Sequence, residues 1–337
     1  MEKSVKIETW APVVIPTLNR FEHFKRCLES LEKCTGANKT DVYVGLDYPP
    51  SVKYVEGWKK IDEYLTEKEK LNGFKNLYVR RRDHNCGVMN PHDNGTLLIE
   101  EVQEICDRYI LSEDDNEFSV NFLDYVNQGL EMYKDDDNCI SVCGFTHYAL
   151  DFSDYSKNVF LCREYSAWGV GMWCEKNNKF VNSLNIDYTK SIMSSWKKIW
   201  TIYKHEPRLL NTILLNIAIN FAFGDTMRVA YQYLANKYSL FPVKSKVRNW
   251  GHDGSGITNF KVNNDYITKQ YIDENDSFIM DNITRDVDCR IQNKIEKRLE
   301  KSFVMNLIIL IRVIIYWLIK VDILYFEVKR RNRSLFT

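Results

Sequence analysis

The stretch Tyr109-Ile-Leu-Ser-Glu-Asp-Asp-Asn-Glu117 decides how the chain is read. Its apolar start reads as a short buried strand that runs straight into Glu113, Asp114 and Asp115. Phe122, Val126, Leu130 and Tyr133 then recur at the spacing of one helical face. Acids at the carboxyl end of a buried strand stand where open α/β sheets place their ligands. Three adjacent carboxylates repel one another, so they need a cation, solvent or basic partners. A hard divalent ion, bound through one or two carboxylates plus substrate phosphates, suits them. A solvated turn capping the next helix is the plainer alternative.

Working outward, Val13-Val14-Ile15 reads as a strand ended by Pro16 and the turn Thr17-Leu18-Asn19, after which Arg20 opens a helix. A second strand over 41–46 stops at Asp47. A third, Leu77-Tyr78-Val79, ends in Arg80-Arg81-Arg82 and Asn85-Cys86-Gly87. Pro91 suits the first turn of the helix that carries Leu97, Leu98, Val102 and Ile105. A fifth strand lies near Ile140 to Cys143. This alternation predicts an α/β fold with a mostly parallel, Rossmann-like sheet flanked by helices. The first four strands end at Asn19-Arg20, Asp47, Arg82 and Asp114-Asp115, so one sheet edge is dense in charge, as a nucleotide site requires. After about residue 150 the rhythm breaks. Tyr165 to Trp173 holds two tryptophans and two glycines; helical stretches flank Gly224-Asp225, and a glycine-rich loop covers Asn249 to Gly256.

The 337 residues, 45% hydrophobic and 13% aromatic, describe a globular protein with a large core. Its 46 basic and 46 acidic residues balance, so nothing in the net charge points to nucleic acid. Nine cysteines include no Cys-x-x-Cys, and Cys139 and Cys143 lack a histidine pair to complete a zinc site. They are expected to be reduced, as in cytosol. Met1 to Trp10 has no signal-peptide core. Phe303 to Ile319 is apolar but for Asn306 and Arg312, and the run continues through Leu324-Tyr325-Phe326. That is short of a clean span of about 20 residues. Lys297, Arg298 and Lys301 precede it, and Lys329, Arg330, Arg331 and Arg333 follow, whereas a spanning helix keeps such charges on one side. A helix lying in the interface, attracted to anionic lipid, is the favoured reading. Docking onto the catalytic domain or a second copy, and a true span, stay open.

Together these residues resemble the GT-A fold glycosyltransferases, in particular the animal N-acetylglucosaminyltransferase I group and bacterial family 2-like transferases of surface polysaccharides. The likeness covers about residues 11–258. It rests on Ile15-Pro-Thr-Leu-Asn-Arg20, Asp47, Glu113-Asp114-Asp115 and Phe223-Gly-Asp-Thr-Met-Arg228. The resemblance implies that Arg20 meets the nucleotide diphosphate, with Thr17 and Asn19 beside it, and that Asp47 reads a uracil. Asp115, with Glu113, would hold Mn2+ or Mg2+, and Asp114 would line the donor site; on the chemistry alone, Arg81 or Arg82 would join Arg20 on the phosphate oxygens. Asp225 would be the catalytic base, with a helix N-cap as its alternative. Apart from the resemblance, Trp168, Gly169 and Trp173 would form an apolar wall against the sugar, with tryptophans that are simply core as the alternative. His252 would close on the diphosphate or ligate metal, or be a plain surface histidine.

The implied function is metal-dependent, inverting transfer of a hexosyl or N-acetylhexosaminyl group. The donor would be a nucleotide sugar, UDP-linked, and the acceptor a growing surface glycan or lipid-linked sugar, at the inner face of the plasma membrane. The expected domains are a donor-binding half (1–150), an acceptor-side half (151–260) and an extension (261–337) with a membrane-associating helix over about 303–326. A sugar nucleotidyltransferase should carry a glycine-rich loop after its first strand, and Pro16 to Arg20 has no glycine. A non-catalytic, membrane-anchored glycan-binding protein would leave Asp225 and the acidic cluster without purpose.

Overall fold

The structure, a computed structural model, describes residues 5–87, 92–256, 262–300 and 302–322. Ten strands occur among them: β1 (Val13–Thr17), β2 (Asp41–Leu46), β3 (Asn76–Arg81), β4 (Arg108–Leu111), β5 (Asn116–Phe118), β6 (Cys139–Cys143), β7 (Val159–Cys162), β8 (Val170–Trp173), β9 (Tyr238–Pro242) and β10 (Val247–Asn249). Eight form one sheet in the order β3-β2-β1-β4-β8-β6-β9-β7, and β5 pairs with β10 in a separate antiparallel ribbon. Strands β3, β2, β1 and β4 are parallel, β8 runs against β4, and β6 runs against β8. The mostly parallel α/β sheet expected from the sequence is therefore present. Val13, Val14 and Ile15 of β1 are fully buried, as are Val42, Val44 and Leu46 of β2, the pattern of strands covered on both faces. The helix Phe21–Glu32 buries Phe24, Cys27, Leu28 and Leu31, one stripe at helical spacing.

Three details differ from the sequence reading. Strand β1 does not stop before Pro16 but runs through Thr17, with Pro16 opposite Gly45 of β2. The carbonyl of Val14 faces β4 and that of Thr17 faces the β2 side. By alternation Pro16 turns towards β4, whose pairing with β1 involves only Val13 and Val14. The missing N–H thus removes no ladder bond. The stretch around Tyr165 to Trp173, to which the sequence reading assigned no element, yields β8, inserted between β4 and β6. The helix Asn94–Gln103 is capped by Asp93, whose Oδ1 accepts from Thr96 N at 2.8 Å, and Pro91 lies outside the described residues.

The chain divides into two compact units with boundaries unlike the expected 1–150, 151–260 and 261–337. The first takes in residues 1–161, 166–175 and 239–286; the second takes in 162–165, 176–238 and 287–337. The cause lies in the sheet, which draws β8, β9 and the β10 ribbon back from later in the chain. Within the first unit the Lys246 ammonium and the Asp273 carboxylate form a buried pair, and Asp273 also accepts from Asn121 Nδ2 at 2.9 Å. That pair anchors the returning segment.

The second unit is helical. Ile199, Ile202, Leu210, Ile213, Met227 and Ala230 lie in its core, and Ile309 and Val313 join them from the helix Phe303–Ile319. Arg312 of that helix is buried in a bidentate pair with Asp322, and its Nη1 donates to Asn211 Oδ1 at 3.0 Å. One face of the helix is therefore docked internally, as the docking alternative allowed, while the opposite face is left exposed. No single helix among the described residues is long and apolar enough to cross a membrane. Lys301, Leu324-Tyr325-Phe326 and the basic residues after them lie outside the described residues.

A polar cluster sits in the same unit. Burial, reinforced by neighbouring Glu206 and opposed by Arg298 and Arg208, pushes the Glu164 carboxyl up to about 7. A carboxyl raised on folding holds its proton longer in the native state. Its contribution is full below the ordinary value of 4.5 and is lost as pH rises to about 7. The Glu164→Gln variant should therefore lose the part of the pH slope between those values, and at pH 8 it should be more stable than the parent. Urea unfolding of both proteins at pH 5 and pH 8 checks this; an unchanged pH 8 midpoint would refute it.

Candidate functional site

The carboxyl ends of β1, β2, β3 and β4 each supply side chains singled out from the sequence. Asp114 and Asp115 follow β4 and are both buried. Arg20, the residue at which the helix Phe21–Glu32 begins, reaches both: its Nη2 pairs with Asp114, and its Nη1 lies 2.7 Å from Asp115 Oδ2. Thr17 Oγ1, from the end of β1, donates to Asp114 Oδ2 at 2.9 Å. Asn249 Nδ2 donates to Asp115 Oδ1 at 2.5 Å. The four carboxylate oxygens thus each meet a donor, and the Arg20 guanidinium stands where a cation is needed. Burial works against that charge, but Asp114 and Asp115 outweigh it and hold the guanidinium above its usual value. Burial also pushes the Asp114 carboxyl above the ordinary range, with Arg20 opposing the shift and Asp115 adding to it.

The turn Gly251–Asp253 closes on this cluster. A Cβ at Gly251 would stand 2.2 Å from Asp115 Oδ2, so only glycine lets the backbone approach so near. The next residue, His252, stacks on Tyr266 with ring centroids 4.1 Å apart and meets the Trp168 edge at 5.6 Å. Its Nε2 is buried without a hydrogen-bond partner among the described residues. Burial lowers its pKa, with Asp115 opposing, so the imidazole is held neutral. Gly169, next to Trp168, adopts φ +63°, and a Cβ there would press on Val247 and Phe122. Trp168 also packs edge-on to Phe145 at 4.5 Å. By contrast Trp173 is core: it is buried on β8, and its Nε1 donates to the Leu130 carbonyl at 3.2 Å.

The other residues fall into place around the strand ends. Asp47 is buried after β2; its Oδ1 accepts from Tyr48 N and Cys86 N at 2.9 Å each, and its Oδ2 from Asn85 Nδ2 at 3.0 Å. It therefore ties β2 to the loop after β3, and any base reading would share an occupied carboxylate. Arg82 Nε donates to Asn94 Oδ1 at 3.0 Å, while its Nη2 is buried without a partner among the described residues. Arg81 is instead committed to Asp62 and Glu69, at 2.5 and 2.9 Å. The Asn19 carbonyl packs against Gly57, where a Cβ would lie 2.0 Å away. Glu113 is half-buried, and its carbonyl accepts from Ser112 Oγ at 2.9 Å. Sequence reasoning missed Asn85, Asn249 and Tyr266. Their only signals were position, just after a strand's basic run, just before a glycine loop, and in a short polar helix.

Asp225 belongs to the second unit. The helix Gly224–Ala235 has Phe223 at its N-cap with no side-chain cap, so Asp225 sits inside the first turn and is not a cap. Dense surroundings push its carboxyl up, opposed by Arg228, yet the residue is exposed. Solvent access outweighs the crowding, because a hydrated carboxylate keeps most of its solvation. Arg228 is buried over Phe180, 4.1 Å from the ring centroid, with Nη2 donating to Asn177 Oδ1 at 2.7 Å. Asp253, the acid of the turn Gly251–Asp253, is held down at about 2: burial raises it, and Ser255 and His23 more than offset that. A carboxyl so acidic is a weak proton acceptor.

No three His, Cys, Asp or Glu side chains among the described residues are grouped to hold a metal alone. Asp115 and the adjacent unpartnered His252 Nε2 still fit a divalent ion that completes its shell with phosphate oxygens and water.

No protein-family model matches the chain, and no curated protein matches it. Among solved structures it is similar to the mannosyltransferase PcManGT from Pyrobaculum calidifontis in complex with GDP-Man and Mn2+, over 70% of this chain and 74% of that one (13% identity, TM-score 0.38). It is also similar to S. aureus TarS 1-349 over 66% and 70% of the two chains (12% identity, TM-score 0.35). In the longer S. aureus TarS structure the match spans 47% of this chain and 27% of that chain (14% identity, TM-score 0.31).

Proposed function

We propose that the chain is a GT-A glycosyltransferase that moves a hexosyl or N-acetylhexosaminyl group from a nucleotide donor, with inversion. The acceptor would be a growing glycan or a lipid-linked sugar. The carrying observation is the Arg20–Asp114–Asp115 cluster at the strand ends, with Thr17 and Asn249 fixing the carboxylates and, beside them, His252 Nε2, which has no hydrogen-bond partner among the described residues. Departure of a nucleoside diphosphate leaves negative charge that must be neutralised. Arg20 supplies a fixed positive charge, and its planar fork suits phosphate oxygens. Arg82 Nη2, buried and without a partner among the described residues, offers a second donor. A divalent ion held by Asp115 and His252, with Glu113 in support, would act as a Lewis acid on the diphosphate. Trp168, held by Phe145 and His252, presents an apolar ring to the sugar. The resemblance offers Asp225, a solvated carboxylate with no capping role, as the base for the acceptor hydroxyl proton. By the resemblance Asp47 would read a uracil, which favours a UDP donor.

The test is a thermal-shift screen of uridine and guanosine diphosphates and their sugars, with and without Mn2+. A ligand at one hundred times its Kd adds about 2.7 kcal/mol to stability. The melting point should rise only with nucleotide and Mn2+ together, and the rise should vanish in Asp115→Asn. Equal binding with chelator present, or to the variant, would overturn the assignment.

A further inference from the structure

We propose that the outward face of the helix Phe303–Ile319, with the tryptophans beside it, is a docking surface for an anionic phospholipid bilayer. This stands apart from the sugar-transfer reading. Ile309, Arg312 and Val313 turn inward. Val304, Leu307, Ile308, Ile311 and Leu318 fall on the opposite arc and are exposed, Leu318 to 65%. The helix has one charged side chain, Arg312, and it is buried against Asp322. The exposed arc therefore carries no charge, an arrangement that water alone does not favour.

The neighbouring helix Trp196–His205 supplies the rest. Trp196 lies 6.0 Å from Trp317 by ring centroids and 6.5 Å from Trp200, and Trp200 lies 5.6 Å from Tyr203. Trp196 and Trp200 are both about two-fifths exposed, at 41% and 40%. Indole and phenol rings gather at the lipid–water boundary, where one end is apolar and the other wet. Lys197 and Lys204 of the same helix are exposed, and Lys204 lies over the Trp200 ring. The helix Trp196–His205 contains no acid. An uncharged apolar arc, an aromatic row and exposed lysines are the three parts of an interfacial site on anionic lipid. With 17 residues, and one side fastened into its own unit, the helix lies along the surface and does not cross it.

Flotation of the full chain with vesicles tests this, using phosphatidylcholine alone and phosphatidylcholine with phosphatidylglycerol. The protein should float with the anionic vesicles, its tryptophan emission should shift to the blue, and 0.5 M salt should weaken the binding. The double variant Ile308→Ser/Ile311→Ser alters only exposed positions and should bind at least tenfold more weakly with an unchanged melting point. Lys197→Ala/Lys204→Ala should weaken binding to the anionic vesicles alone. The proposal is overturned if the parent floats with neither vesicle, or equally with both. It is also overturned if the face proves to be covered by a second copy: a dimer in ultracentrifugation, dissociated by the serine variant, with no vesicle binding.

Discussion

Replacing Arg20 by methionine should lower the stability of the protein by about 3–5 kcal/mol, because it strands two adjacent buried carboxylates. Asp114 and Asp115 share that guanidinium, and Asp114 is already pushed above the ordinary carboxylate range by burial. The loss should be partly reversed by Mn2+, since a divalent cation can neutralise the same pair of acids. At one hundred times its Kd the ion would restore about 2.7 kcal/mol. Urea unfolding of parent and variant, each with Mn2+ and with chelator, reads both effects. The variant should gain more from the metal than the parent. If Arg20→Met unfolds at the parent midpoint, or if Mn2+ raises both alike, the cluster is not a shared cation site.

Asp225→Asn should cut sugar transfer by about 10²–10⁴-fold, the usual contribution of a general base. The change should hardly touch stability, for Asp225 makes no cap and is exposed in the first helical turn. Only its favourable position at the positive helix end is lost, about 0.3–1 kcal/mol. Release of nucleoside diphosphate in the presence of acceptor measures the rate, and thermal shift with nucleotide measures donor binding, which should persist. A variant that transfers near the parent rate would end Asp225's candidacy. The acid at 253 could not inherit the role while it is held at about 2.

The strand ends were legible because two signals coincide there: a short apolar run, and an abrupt change to Asn19-Arg20, Asp47, Arg82 or Asp114-Asp115. Burial dictates the first, and solvent or ligand the second. What was not legible depends on long-range pairing. Nothing local in Val170–Trp173 says that it runs antiparallel between β4 and β6. Nor does the periodicity of Gly224–Ala235 say which residue starts the helix; a cap was the alternative to a base at Asp225, and Phe223 took the cap position. Asn249 and Asn85 were invisible for the same reason. Each is an ordinary polar residue until the fold sets it 2.5 Å from Asp115 or 3.0 Å from Asp47. The C-terminal helix was left with several readings because apolar spacing alone cannot separate a face that packs on protein from one left open.

The antiparallel insertion of β8 also bears on how the chain leaves the ribosome. Strand β4 ends at Leu111, but its partner on one side ends only at Trp173, 62 residues later (173 − 111 = 62). At roughly 5–20 residues per second, synthesis needs about 3–12 s to cover that distance. Throughout that interval β4, buried and apolar at Tyr109 and Ile110, is the open margin of a nascent half-sheet. Such a margin can pair with another chain as readily as with its own. Nascent-chain shielding by a holdase should therefore matter most while residues 112–173 are being made, and fragments cut within that stretch would be the sticky ones.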